Sequence, residues 1–170
     1  MKIVLYIAVS VDGYIAPADG AIEWLAPYET LDYGYDDFIG GVDTVVMGRL
    51  TYQQSVEFGD WPYWGKEVFV LTSENLESDL PGLNFVGNAT RLAYDLRNRH
   101  EGTAWLVGGT GVIADFLAAQ AVDELRLFLI PVLLGSGRPL FVPAPGAQLE
   151  LVDSTSFENG VVGLTYRAKR

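Results

Sequence analysis

The amino-acid sequence predicts an α/β protein with a mostly parallel central sheet, helices on both faces of that sheet and an antiparallel C-terminal hairpin. Short apolar runs alternate along the chain with segments of helical periodicity, which is the element order of a parallel sheet. Near the C-terminus two polar-alternating segments flank Asn159-Gly160, a strong signal for a tight hairpin turn. The length of 170 residues is typical of one domain, so a single three-layer domain spanning residues 1–170 is expected.

Six apolar runs rich in Val, Ile, Leu and Phe have the length of strands. Because these runs are continuous and not alternating, we expect both faces of each strand to be buried. The predicted strands are Ile3–Val9, Thr44–Met47, Val68–Leu71, Asn84–Val86, Thr103–Val107 and Glu124–Pro131. The hairpin adds two antiparallel strands, Leu149–Phe157 and Val161–Arg167.

Helical segments connect the predicted strands. The first is predicted over Thr30–Ile39, and a shorter helix follows from Leu50. Asn88 or Thr90 can cap the next helix, which ends near Arg99.

The composition excludes several classes of site and partner. The chain has no Cys and a single His, so disulfides, thiolate catalysis and zinc sites built from cysteine or several histidines are excluded, and no metal site is predicted. A net charge of −11 repels nucleic acid and anionic membranes, and neither is an expected partner. No apolar run reaches the roughly 18 residues of a membrane span, and the N-terminus lacks a signal-peptide pattern, so a cytoplasmic location is expected.

Glycines and small polar residues stand where three predicted strands end. Gly108-Gly109-Thr110-Gly111 opens a helix that begins at Thr110 or Gly111, and the missing Cβ atoms let a phosphate approach the positive helix N-terminus. Gly48-Arg49-Leu50-Thr51 adds a guanidinium, and Thr72-Ser73 adds two hydroxyls. The pattern predicts an extended ligand with several phosphates at the carboxyl ends of the strands. A tight turn at the glycines and a surface ion pair at Arg49 are the alternative interpretations.

Three motifs follow one another along nearly the whole chain. The first is Ser10-Val11-Asp12-Gly13-Tyr14-Ile15-Ala16, and the second is Met47-Gly48-Arg49-Leu50-Thr51-Tyr52. The third runs from Trp105 to Phe141 and contains the paired glycines, Val122-Asp123-Glu124-Leu125 and Pro131-Val132-Leu133-Leu134-Gly135. In this order and spacing the set resembles the dihydrofolate reductase-like superfamily, and more closely a stand-alone relative of the C-terminal reductase domain of the riboflavin biosynthesis deaminase-reductase.

The resemblance implies a dihydrofolate reductase-like fold, NADPH as cofactor, and hydride transfer to a C=N or sugar-like carbonyl carbon of a small pterin- or pyrimidine-type heterocyclic substrate. The riboflavin precursor 5-amino-6-(5-phosphoribosylamino)uracil is one such substrate. In this chemistry the cofactor supplies the hydride, and the protein positions the reacting atoms.

The resemblance also implies which residues contact the cofactor. The residues expected to contact the adenosine-side phosphates are Gly48, Arg49, Leu50 and Thr51. Those expected to contact the adenine and its ribose phosphate are Leu71, Thr72 and Ser73. Those expected to contact the pyrophosphate are Val107, Gly108, Gly109, Thr110, Gly111 and Val112, and those expected beside the nicotinamide are Ala8 and Ile15.

On the substrate side the resemblance implies one carboxylate on the first helix. Residues 29–38 contain four carboxylates, of which Asp32 and Asp36 are the catalytic candidates because we expect them to share a helix face at i, i+4. The alternative interpretation of each is a solvated helix face. Phe38 is expected against the substrate ring, and Trp24 over the active site, with core packing as the alternative role of the tryptophan.

Three classes of function remain open at this point. The leading hypothesis is an NADPH-dependent oxidoreductase, and the alternatives are a non-catalytic nucleotide-binding or regulatory module and a structural dimer protein. The lack of cysteine and of an H-x-E…P-C-x-x-C signature excludes the deaminase reaction. Val107 stands before the paired glycines, where the bifunctional family tends to place a glutamate, and this leaves the substrate open. A homodimer is expected from the relatives, with Leu125–Leu134 and the hairpin as the shared edge.

Overall fold

The central sheet contains eight strands in the part of the chain that the structure describes. The computed structural model describes residues 1–143 and 146–169. In chain order the strands are β1 (Lys2–Ser10), β2 (Tyr14–Ala16), β3 (Thr44–Gly48), β4 (Glu67–Leu71), β5 (Leu83–Val86), β6 (Thr103–Gly108), β7 (Glu124–Ile130), β8 (Arg138–Pro139), β9 (Leu149–Ser156) and β10 (Val162–Ala168). The order across the sheet is β5-β4-β3-β6-β1-β7-β10-β9, and β2 pairs with β8 in a separate sheet.

Six neighbouring strands of the sheet run parallel. β1 pairs in parallel with β6 and β7, β3 with β4 and β6, and β4 with β5. β10 is antiparallel to both β7 and β9. The predicted parallel sheet and C-terminal hairpin are therefore confirmed, whereas β2 and β8 were missed because three and two residues are too few to show a strand period.

Helices connect these strands, as the sequence pattern predicts. They are α1 (Tyr35–Gly40), α2 (Arg49–Glu57), α3 (Ala89–Arg97) and α4 (Thr110–Ala118), with a 3-10 helix at Glu23–Tyr28. The Asn88 side chain caps α3, because it accepts a hydrogen bond from the backbone N–H of Arg91 at 2.8 Å. Among the described residues, no helix combines the length and the apolar composition that crossing a membrane requires.

The first predicted helix is wrong in its N-terminal half. The prediction covered Thr30–Ile39, but the backbone turns left-handed at Tyr33 and Gly34, with φ of 55° and 80°, and a right-handed helix cannot contain that conformation. The Asp32 carboxylate accepts hydrogen bonds from the backbone N–H groups of Gly34 and Asp36 at 2.9 and 3.0 Å. Asp32 therefore precedes α1, and the two aspartates do not share a helix face.

Two apolar cores pack on opposite faces of the sheet. Side chains of β1 alternate between them, with Ile3 and Leu5 in one core and Val4 in the other. The first core contains the apolar faces of α3 and α4, and the second contains α1 and an aromatic loop that contributes Trp61 and Tyr63. Helical or aromatic layers thus cover both faces, and the aromatic loop is a core element.

The parallel strands bring several connections to one edge of the sheet. α2 begins directly after β3, and Gly109 alone separates β6 from α4. The carboxyl end of β1 lies between those of β6 and β7. Any group that follows these strands therefore faces the same edge, which is where ligands bind in open parallel sheets.

The edge of the sheet beyond β7 and β10 is the exposed strand β9. All eight residues of β9 are exposed, including Leu151 and Val152, which keep 53% and 45% of their surface. β7 is paired on both sides, so the predicted contribution of Leu125–Leu134 to a free edge is wrong, and β9 is the edge on this side of the sheet.

Candidate functional site

A groove runs between the N-termini of α2 and α4. Its volume is about 470 Å³, and we call it the strand-end groove. Its lining includes eight of the predicted cofactor residues, namely Gly48, Arg49, Leu50, Thr51, Gly109, Thr110, Gly111 and Val112. The structure thus brings together two strand ends that are about 60 residues apart in the chain, as the parallel-sheet prediction requires.

Backbone atoms form the floor of the strand-end groove at Gly48 and Gly109. Gly109 has a φ of 94°, and a Cβ added there would lie 3.7 Å from the backbone of Gly48. A Cβ added at Gly48 would lie 3.3 Å from the Val112 side chain. Together with the unpaired N–H groups of a helix N-terminus, this bare backbone suits the close approach of a phosphate.

Arg49 lies in the strand-end groove and makes an ion pair there. Its Nε lies 3.3 Å from Oε1 of Glu74, and its Nη1 donates to Oε1 of Gln53 at 3.2 Å. The side chains of Arg49 and Glu74 are 34% and 53% exposed, so water screens the pair and its contribution to folding stability is small. The arginine is therefore able to exchange this partner for an anionic ligand.

Thr72 and Ser73 lie at a neighbouring cavity of about 800 Å³ beyond the end of β4. The Thr72 hydroxyl accepts a hydrogen bond from the backbone N–H of Glu74 at 3.0 Å, and Glu74 also lines this cavity. Arg49 of the strand-end groove pairs with Glu74, so the two spaces adjoin at that ion pair.

The other predicted cofactor residues are more enclosed. Leu71 and Ile15 pack against the core that contains α3 and α4, and Val107 packs against the aromatic core. Gly108 is buried at the end of β6. Leu71, Val107 and Gly108 lie at the predicted strand ends, whereas Ile15 lies in β2. Their contacts with a cofactor stay predictions.

Arg138 also lines the strand-end groove, although it is not among the site residues predicted from the sequence. Its guanidinium packs over Gly20, where an added Cβ would lie 3.0 Å away. The segment is held in place because β8 pairs with β2, and because the Thr110 hydroxyl donates to the Pro139 carbonyl at 2.7 Å. The sequence signal that could have indicated this position is the basic residue Arg138 directly after Gly135-Ser136-Gly137.

The motif that follows β1 joins two strand ends. The Asp12 carboxylate accepts hydrogen bonds from the backbone N–H groups of Leu134 and Gly135 at 3.1 and 2.7 Å, and from the Ser10 hydroxyl at 2.6 Å. These hydrogen bonds, with that of Ser10 the largest contribution, lower the pKa of Asp12. The motif therefore ties the turn after β1 to the segment after β7.

A second cavity, which we call the aromatic cavity, lies at the carboxyl ends of β1 and β7. Its volume is about 440 Å³, which is within the range of small-ligand sites. Most of its lining is apolar or aromatic, with two carboxylates at the margin: Tyr6, Ala8, Leu25, Tyr28, Glu29, Leu31, Asp32, Tyr33, Tyr35, Phe128 and Ile130. It contains Ala8 and Asp32 from the predicted site, but Asp36 is not part of its lining.

Tyr6 forms one wall of the aromatic cavity, and Phe38 supports it. The two rings stack with centroids 4.5 Å apart and an interplanar angle of 10°. Phe38 is buried behind Tyr6 and is not among the residues that line the cavity, and its contact with a substrate ring stays a prediction. Burial, followed by the negative charge of Asp32, raises the pKa of Tyr6 well above its ordinary value, and the hydroxyl stays protonated at neutral pH.

Tyr33 holds the loop that carries Asp32. Its hydroxyl donates to the Tyr28 carbonyl and accepts a hydrogen bond from the side-chain amide of Asn159 in the C-terminal hairpin turn. Its ring packs edge-on against Phe157 at 4.8 Å. These contacts stabilise the left-handed backbone of Tyr33, and they place the Asp32 carboxylate at the margin of the cavity.

Trp24 lies in the 3-10 helix, two of whose other members, Leu25 and Tyr28, line the aromatic cavity. The tryptophan itself is partly buried and is not among the lining residues. Its indole nitrogen is buried without a hydrogen-bond partner in the described part of the chain. The predicted role of Trp24 over the active site stays a prediction, and its neighbours Leu25 and Tyr28 are the members of this helix that line the cavity.

The chain is similar to several known proteins. It is 42% identical over 144 residues to the uncharacterized protein YwjB of Bacillus subtilis (strain 168), and the match covers 82% of each chain. The solved structure of a putative riboflavin biosynthesis protein from Shewanella sp. PV-4 superposes with a TM-score of 0.88 at 31% identity, over 100% of both chains.

More distant solved structures share the fold. Dihydrofolate reductase from Enterococcus faecalis, complexed with NADP(H), matches with a TM-score of 0.73 at 20% identity and covers 99% of this chain and 97% of its own. A diaminohydroxyphosphoribosylaminopyrimidine deaminase/5-amino-6-(5-phosphoribosylamino)uracil reductase from Thermotoga maritima matches with a TM-score of 0.73 at 17% identity, over 99% of this chain and 56% of its own. The fold is therefore dihydrofolate reductase-like, as the resemblance implied.

The family assignment rests on more than half of the chain. Residues 69–163 match the family model of the RibD C-terminal domain, and this range runs from β4 into β10 and includes the paired glycines. Family and fold together support a reductase of the riboflavin-pathway or dihydrofolate reductase type. The chain belongs to the RibD C-terminal domain family.

Proposed function

We propose that the chain is an NADPH-dependent reductase that delivers hydride to a C=N or sugar-like carbonyl carbon of a small pyrimidine-type substrate, with 5-amino-6-(5-phosphoribosylamino)uracil as the first candidate substrate. The observation that carries the proposal is the position of two cavities at one edge of the sheet. The strand-end groove lies at the ends of β3 and β6, and the aromatic cavity lies at the ends of β1 and β7. Because β1 is the neighbour of β6, an extended dinucleotide can lie along this edge.

The residues of the strand-end groove fit a dinucleotide cofactor. The bare backbone at Gly48 and Gly109 leaves room for a pyrophosphate beside the N-terminus of α4. Arg49 supplies a fixed positive charge for the 2′-phosphate. When bound, the cofactor supplies the hydride.

The aromatic cavity fits the substrate side of the proposal. Tyr6, Tyr35 and Phe128 present aromatic surface on which a planar heterocycle can pack while water is excluded. The Asp32 carboxylate can accept hydrogen bonds from ring N–H groups, and the Tyr6 hydroxyl retains its proton for donation. Reduction of a C=N bond adds hydride to carbon and one proton to nitrogen, and a water molecule oriented by the Asp32 carboxylate is the proposed source of that proton.

We expect Arg49→Ala to weaken NADPH binding by about ten- to a hundredfold, because a charge-assisted hydrogen bond to phosphate contributes about 1.5–3 kcal/mol. NADH lacks the 2′-phosphate, and its affinity should change little. Isothermal titration calorimetry with both dinucleotides measures the difference. Arg91→Ala is the matched control, since Arg91 is an exposed arginine on α3 and pairs with Asp95 away from the strand-end groove. Equal losses for both cofactors would show that Arg49 does not contact the 2′-phosphate.

We also propose that the chain forms a homodimer through β9. An exposed edge strand with apolar side chains such as Leu151 and Val152 is a surface that a second copy can extend or cover. Sedimentation equilibrium should give twice the monomer mass, and a Leu151→Lys variant should sediment as a monomer. A wild-type protein that sediments as a monomer at micromolar concentration would contradict the proposal.

A further inference from the structure

The acidic partner of Arg49 lies where the proposed cofactor carries its distinguishing phosphate. Glu74 Oε1 is 3.3 Å from Arg49 Nε, across the junction between the strand-end groove and the cavity beyond β4. That cavity is lined by Thr72, Ser73, Glu74 and Glu77 among others, and its lining in the described residues contains no lysine or arginine. The surroundings of Arg49 on this side are therefore acidic.

The position of Glu74 is fixed by its own backbone. Its N–H donates to the Thr72 hydroxyl at 3.0 Å, which closes a short turn directly after β4. An exposed ion pair opens readily, but the turn keeps the carboxylate close to the groove after the pair has opened. A phosphate that binds Arg49 consequently meets a negative charge a few ångströms away.

The two nicotinamide dinucleotides differ at this position in the sign of their interaction with a carboxylate. The 2′-phosphate of NADPH must compete with Glu74 for the same guanidinium, and it is repelled by the carboxylate that it displaces. The 2′-hydroxyl of NADH is a hydrogen-bond donor that a carboxylate accepts. Arg49 and Glu74 therefore act in opposite directions on the choice of cofactor.

We infer that Glu74 is a specificity-determining residue that reduces the preference of this protein for NADPH over NADH by competing for Arg49. The inference rests on the proposed dinucleotide-binding function, and it adds that the preference for NADPH over NADH is about five- to tenfold smaller than it would be without Glu74. Arg49 alone, without an acidic partner, would give a stronger preference for NADPH.

The test compares Glu74→Gln with Asp79→Asn by isothermal titration calorimetry of NADPH and NADH at low ionic strength. Both variants lose one negative charge from the exposed segment after β4, but Asp79 does not pair with Arg49 in the structure. In Glu74→Gln we expect NADPH to bind about five- to tenfold more tightly, because a like charge about 5 Å away is removed, while NADH binds equally or more weakly. In Asp79→Asn both dissociation constants should stay within about twofold.

The possible outcomes distinguish a failure of the inference about Glu74 from a failure of the proposed function. A wild type that binds NADPH, with an unchanged NADPH-to-NADH ratio in Glu74→Gln, would overturn the role of Glu74 and leave the proposed function standing. The same gain in both variants would also overturn it, because the effect would then come from net charge. If neither dinucleotide binds the wild type or Glu74→Gln, the proposed function fails and the inference fails with it.

Discussion

Replacing Gly109 by valine is expected to weaken NADPH binding by at least about a hundredfold while the protein stays folded. The γ-methyl groups of valine would occupy the space next to the exposed backbone of the strand-end groove, which the pyrophosphate of the proposed cofactor would need. An added Cβ meets no protein atom closer than 3.7 Å, so the sheet and α4 can form around it. The loss corresponds to about 2.7 kcal/mol, the cost of one or two phosphate hydrogen bonds.

Valine at Gly109 also carries a conformational cost, and this cost needs its own control. The φ of 94° is unfavourable for a β-branched residue, and strain of this kind costs about 1–3 kcal/mol. Gly59 has a φ of 99° with open space around it, and it lies outside both cavities, so Gly59→Val introduces similar strain without filling the groove. Circular dichroism and calorimetry of both variants separate folding from binding. NADPH affinity that is equal in Gly109→Val and wild type would remove the pyrophosphate from this position.

Asp32→Asn is expected to lower kcat by about a hundredfold or more and to leave the dissociation constant of NADPH unchanged. Positioned carboxylates that orient or protonate a substrate contribute factors of this size, and Asp32 lies in the aromatic cavity, apart from the strand-end groove. Asparagine has the same shape and retains one acceptor oxygen, so it keeps one of the two hydrogen bonds that the Asp32 oxygens accept from the backbone N–H groups of Gly34 and Asp36. Circular dichroism of the variant checks that the turn before α1 persists.

Asp36→Asn is the matched control for that variant. Asp36 is exposed on α1, four residues further along, and does not line the aromatic cavity. Steady-state kinetics with NADPH and the uracil substrate should show full turnover for this control. If Asp32→Asn is as active as Asp36→Asn, the Asp32 carboxylate serves only to cap α1, and the proton comes from another group.

Local chemistry explains which parts of the fold and site were predictable. Buried runs such as Val45–Met47 have strand composition on their own, and the glycines at Gly48 and Gly109 belong to turns whose conformation is set within a few residues. A parallel sheet then requires such turns to meet at one edge, whatever their separation in sequence. The strand-end groove followed from the sequence for this reason.

The aromatic cavity was less predictable because distant contacts determine it. The left-handed turn that separates Asp32 from Asp36 is stabilised by a hydrogen bond between Tyr33 and Asn159, at the other end of the chain. The pairing of Ala8 with Phe128 depends on the register between β1 and β7, and neither strand specifies that register alone. Helical periodicity around Asp32 therefore predicted a helix that tertiary contacts interrupt.

Side-chain contacts between distant segments of the chain also could not be predicted from the sequence. Glu74 is one of several acidic residues after β4, and only the folded chain shows that it is the one that reaches Arg49. Arg138 enters the strand-end groove through a two-residue strand, which is too short for any periodicity. Tyr6 could have been predicted from the sequence as a site residue, because it lies two residues before Ala8 and therefore on the same face of β1.

The most direct test of the proposed reductase is a single-turnover reaction with NADPH that carries deuterium at both positions of C4 of the nicotinamide. Wild-type protein in excess is mixed with the labelled cofactor and 5-amino-6-(5-phosphoribosylamino)uracil, and the heterocyclic product is analysed by mass spectrometry. Transfer of one deuterium to carbon of the product, abolished in Gly109→Val, is the expected result. Cofactor that stays reduced with this substrate and with a panel of related pyrimidines and pterins, or that is oxidised without deuterium reaching the product, would contradict it.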